Sequence, residues 1–189
     1  MDWRLLQLAD SAFPAGAFAH SAGLEALHQA RLVSAASLLP RLRELTFNAA
    51  RSMLPFVESR DDAACDAFLV NHVANRASRA QGGAFGIAAE AALGVPRPSL
   101  PFGHLPVVMG QMVGAQAREL YLFGTARGAL SAAVRLGIVG PLEAQRLFTA
   151  LHPTLEAALA ERGEARSTSP VLELFQQQHD TLYSRLFQS

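Results

Sequence analysis

Lysine is absent from this 189-residue chain: all 16 of its Lys/Arg positions are Arg. That excludes a P-loop NTPase, whose lysine must reach the nucleotide phosphates, and any Schiff-base enzyme. Cysteine occurs once, at Cys65, so no intramolecular disulfide can form. A lone thiol suits a reducing cytosol and is expected to be buried and inert. Isoleucine occurs only at Ile87 and Ile138, and β-branched runs shrink to fragments such as "PVV". Strands are therefore not expected. Net charge is also missing, with 16 Lys/Arg against 16 Asp/Glu. A nucleic-acid partner would call for a basic surplus. No apolar run approaches the roughly 18 residues of a membrane span, and the N-terminus lacks a signal-peptide core. The expected location is cytoplasmic, with no membrane partner.

What remains is rich in alanine and leucine, both helix formers. Leu120, Phe123, Leu130 and Val134 recur at helical spacing and make one apolar face. The spacing predicts an all-α, single-domain bundle of roughly eight to ten helices. Residues 1–160 form its body, 161–169 a mobile polar linker, and 170–189 a C-terminal helix and tail of the same domain. Helices are expected at about 21–31, 37–53 and 84–93, with "DDAACDAFLVNHVANRASRAQ" as one helix between the last two. Two or three more lie between His104 and Leu136. Others span 141–159, where Pro141 opens the helix, and about 171–183.

Ser21, in "AHSAG", has the small neighbours of a nucleophilic serine in an α/β-hydrolase. A strand should precede such a serine, yet "SAFPAGAF" is a Pro/Gly turn. A serine hydrolase is thus the alternative reading. His20 and His28 are eight apart, where one-helix metal ligands prefer four. The other histidines are isolated, so no metal or cofactor site is expected. Gly110 and Gly114 form a GxxxG, which suits close helix packing in the core or between two copies.

"LLQLADSAFPAGAFAHSAGLEAL" resembles the N-terminal signature of the UreF family of urease accessory proteins: a short helix, a Pro-x-Gly turn, an aromatic, a Ser, then Gly-Leu-Glu opening a helix. Pro14, Gly16, Phe18, Ser21, Gly23, Leu24 and Glu25 fill those places. "HDTLYSRLFQS" resembles the family's C-terminal tail, and "NRASRAQGGAF" its Arg-rich turn. Phe18 stands where many members carry Tyr, and Arg135 where Lys is frequent. The chain is shorter than the usual member between Arg51 and Arg79.

The resemblance implies a non-catalytic homodimer that bridges a UreD-type (UreH-type) protein and the nickel GTPase UreG, delivering nickel to apo-urease. A diverged paralogue acting as a protein-interaction module is the other family-level alternative. The partner-binding residues so implied are Phe18, Glu25, Arg135, Tyr183, Ser184, Arg185, Leu186 and Phe187. Glu25 could equally be a helix-dipole carboxylate. The tail, with Leu182, Tyr183, Leu186 and Phe187, could dock on its own core or insert into a partner. Its linker favours a tail that is mobile alone and ordered on binding.

Overall fold

In a computed structural model, residues 2–16 and 19–189 are described, and among them are nine α-helices and no strand. The helices are α1 (Trp3–Ala9), α2 (Leu24–Gln29), α3 (Ala35–Ser59), α4 (Asp62–Phe68), α5 (His72–Leu93), α6 (Leu105–Met112), α7 (Ala117–Arg135), α8 (Pro141–Leu159) and α9 (Pro170–Gln177). A 3-10 turn, Gln178–Thr181, carries α9 into the tail.

The long helices α3 and α7 run through two apolar centres. The first half of α3 meets α2, α8 and the end of α7 around Leu38, Leu42, Leu130 and Leu151. Its second half meets α5, α6 and the start of α7 around Leu54, Phe85, Val108 and Leu120. One continuous helix thereby ties both ends of the domain together.

Three departures from the expected helices have physical causes. The stretch expected to form one helix from Asp61 to Gln81 is broken at 69–71. Asn71 turns its side-chain oxygen back to accept from the N–H groups of Val73 and Ala74, capping α5. Conversely, Gly82 and Gly83 do not end a helix. They lie inside α5, where Gly82 lets the 103–105 backbone approach.

The third departure concerns α3, which continues through Pro55 to Ser59. Proline has no N–H, so the carbonyl of Arg51, four residues back, loses its helical donor. The N–H of Arg166 supplies one instead, at 3.1 Å. Nearby, Thr168 N donates to Asn48 Oδ1 at 2.8 Å, and the Arg51 guanidinium donates to Glu161 at 2.7 Å. Segment 161–169, expected to be a mobile linker, is therefore strapped along α3.

Within the GxxxG the two glycines act differently. Gly110 lies against the carbonyl of Val57, whereas Gly114 has φ +74° and starts the break between α6 and α7.

Candidate functional site

"AHSAG" builds a turn, not a nucleophile. Ala22 and Gly23 both adopt left-handed backbone, with φ +52° and +86°. A Cβ on Gly23 would lie 3.2–3.3 Å from the α9 backbone and Gln176. The turn packs α2 tightly against α9 and directs Glu25 into the protein. The Ser21 hydroxyl is buried and donates to the main-chain oxygen of Ser189 at 3.1 Å. His20 Nδ1 is 2.5 Å from the Ser189 hydroxyl. Serine 21 is thus committed to holding the tail, and no strand precedes it among the described residues.

The tail lies in a seat made by this turn, α2 and the end of α7. Its main chain pairs with the turn through Gln188 N to Ala19 O at 2.7 Å and Ser21 N to Ser189 O at 2.6 Å. Glu25 is 2% exposed. One carboxylate oxygen accepts from Leu186 N at 2.6 Å; the other accepts from Phe187 N at 3.2 Å and meets His179 Nε2 at 3.1 Å. Hydrogen bonds to a carboxylate are about twice as strong as neutral ones. A buried acid facing two main-chain donors gives the tail a fixed register. The Phe187 ring is buried under the Arg135 guanidinium, which lies 4.2 Å from its centroid. Gln29 Nε2 reaches Ser184 O at 2.8 Å.

Asp180 forms a second anchor. Both its oxygens accept from Arg76, at 2.8 and 3.0 Å, and Arg185 approaches at 3.5 Å. The Arg76 bonds hold the Asp180 carboxyl below the usual carboxylate range. His72 also reaches it, at 3.3 Å.

Glu25, Arg135, Ser184, Leu186 and Phe187, distant in sequence, thus meet in one place. Tyr183 is fully exposed, and Arg185 and Leu186 are half-exposed, so the docked tail turns three side chains outward. Phe18 lies outside the described residues. The tail packs on its own fold. Its apolar Phe187 finds a buried place, and its main-chain donors find Glu25. Sequence reasoning missed His179, Asp180 and Ser21 as tail-holding groups. The clustering of His179 and Asp180 just before the apolar tail was the available signal.

Burial pushes the His20 imidazole down to about 4, and the charges of His179 and Arg76 push it the same way. Below pH 6.5 the unfolded chain then binds a proton that the folded chain refuses, so stability falls as pH drops from 6.5 towards 4. Thermal melts across that window should show the decline, and His20→Gln should flatten it. A profile unchanged by His20→Gln would mean that the proton uptake occurs elsewhere.

A family model described as UreF matches residues 3–152. The chain belongs to the UreF family. Urease accessory protein F of Arabidopsis thaliana is 38% identical over an alignment 222 positions long, covering 99% of this chain and 92% of its own length. The namesake of Oryza sativa subsp. indica is 33% identical, covering 98% of this chain and 84% of its own. Urease accessory protein UreF of Cereibacter sphaeroides (strain KD131 / KCTC 12085) is also 33% identical, covering 98% and 97%. For this UreF-family chain the tail seat joins both terminal signatures in one structure. No helix among the described residues is long and apolar enough to cross a membrane.

Proposed function

We propose that this UreF-family chain is a non-catalytic scaffold of urease maturation. As a cytoplasmic homodimer it bridges a UreD-type (UreH-type) protein and the nickel GTPase UreG while nickel is delivered to apo-urease. The docked tail carries the UreD-type contact. Tyr183, Arg185 and Leu186 provide its outward face, and Tyr and Arg are residue types that dominate binding hot spots. Glu25, Arg135 and Phe187 serve the same contact from beneath by fixing the tail's register, Ser184 holds the tail through its carbonyl oxygen, and Phe18 belongs to the same contact on the family resemblance alone. The observation that carries the proposal is the exposure of Tyr183 on a tail whose main chain is held by a buried carboxylate.

The test compares the chain with a Tyr183→Ala/Leu186→Ala variant in binding to a UreD-type protein, by titration calorimetry. A hot-spot loss of about 2–4 kcal/mol corresponds to a roughly 30- to 1,000-fold weaker complex. Both side chains face outward, so the melting temperature should stay within about 2 °C, as for surface substitutions generally. An unchanged affinity would remove the tail from the interface. Hydrolysis of a fluorogenic ester should be the same for the chain and for Ser21→Ala.

A further inference from the structure

A cavity of about 720 Å³ lies between α3, α5 and α7, bordered by the loop after α1 and by α9. Three helices leave this space by presenting small side chains on one face each. On α7 these are Gly124, Gly128 and Ser131; Ala49 stands opposite on α3, with Ala77 and Ser78 on α5. The α7 residues are four and three apart, so they share one side of the helix. A Cβ added at Gly124 or Gly128 would meet no other atom within 4 Å. The larger lining groups include Met53, Met109 and Leu120, which give the space an apolar character.

Its charged lining groups are already engaged. The Arg127 guanidinium donates to Ala9 O at 2.8 Å, and Asp10 accepts from Ala12 N at 2.9 Å. Glu173 accepts from the Ser167 hydroxyl.

We infer that this cavity is a binding site for a small, uncharged, mainly apolar molecule. Its volume falls in the roughly 300–1,000 Å³ range of small-molecule sites, and an apolar wall with a few polar groups is their usual lining. The lining sets Arg127 against Asp10 and Glu173, an acidic excess that disfavours an anionic ligand. The thioethers of Met53 and Met109 are adaptable walls, suited to a ligand of irregular shape. The cavity adjoins the tail seat at His20 and Ala22.

The probe is N-phenyl-1-naphthylamine, a neutral fluorophore with one N–H, titrated into the full chain. It should bind saturably, one per chain. Gly128→Leu and Gly124→Leu each add a Cβ with no atom within 4 Å and a side chain in the space, and each should weaken binding at least tenfold without lowering the melting temperature. Leu142→Ser, at an exposed apolar residue on α8 outside the cavity, should leave affinity unchanged. The anionic 8-anilinonaphthalene-1-sulfonate should bind at least tenfold more weakly than the neutral probe. The inference is overturned by any of four results. These are non-saturable binding, unchanged affinity in both folded leucine variants, loss of binding in Leu142→Ser, or preference for the anionic probe.

Discussion

Replacing Glu25 with alanine should detach the tail. The substitution leaves the N–H groups of Leu186 and Phe187 without their acceptor and His179 without its carboxylate. Removing one member of a buried, hydrogen-bonded charged group costs about 3–5 kcal/mol, because the remaining groups stay desolvated and unpaired. If the tail remained docked, that penalty would lower the melting temperature by on the order of 10 °C at 2–4 °C per kcal/mol for a chain of this size. Release of the tail limits the loss to the free energy that docking supplied. Trypsin gives the local readout, since this lysine-free chain is cut only after arginine and Arg185 lies within the docked segment. In Glu25→Ala, mass spectrometry should detect rapid cleavage after Arg185, well before the body is digested. Cleavage at the wild-type rate would show that the carboxylate does not hold the tail. Glu25→Gln keeps one acceptor oxygen and should fall between the two.

Two adjacent glycines should respond to alanine with opposite signs. At Gly82 a Cβ would sit 2.0 Å from the carbonyl oxygen of Gly103 and 2.7 Å from Leu105 N. That loop has little room to yield. The buried Asp62 carboxylate accepts from the N–H groups of Phe102, Gly103 and His104, at 2.8–3.0 Å. Overpacking of a core costs about 1–3 kcal/mol and sometimes more. With backbone on the receiving side, Gly82→Ala should lie at or above the top of that range. It outweighs the roughly 1 kcal/mol that alanine gains over glycine in a helix. The net loss of about 2 kcal/mol or more should lower the melting temperature by roughly 4–8 °C or more. Gly83→Ala meets nothing within 4 Å, so only the helix gain applies and the melting temperature should rise by about 2–4 °C. Equal effects at the two positions would mean that α5 and the 101–104 loop do not touch as described.

Local signals were legible where the chain itself decides. The helix 141–159 follows from Pro141 at its first position and an unbroken apolar period, and it is found there. The helix class follows from composition. Boundaries set by distant contacts were not legible. Pro55 looks like a stop, and only the Arg166 N–H, far along the chain, makes its continuation inexpensive. Gly82-Gly83 looks like a break, but the first glycine is needed for a backbone contact across space. Asn71 sits amid helix formers, and its cap shows only once its side chain is placed.

The site was legible as a set of residues and not as an arrangement. Glu25, Arg135 and Phe187 were each singled out, but nothing in their separate surroundings says that one carboxylate and one guanidinium hold one tail. The polar stretch 161–169 suggested mobility because the straps to Asn48 and Arg51 are long-range contacts. The cavity was invisible for a simpler reason. Glycine, alanine and serine on helix faces look like ordinary helix packing until three such faces are seen to meet.

Bridging is tested most directly with an immobilised UreD-type protein, purified UreG and this chain. The account predicts that UreG is retained only when the chain is added, and that the Tyr183→Ala/Leu186→Ala variant fails to retain it. Retention of UreG without the chain, or no retention with it, would contradict the account.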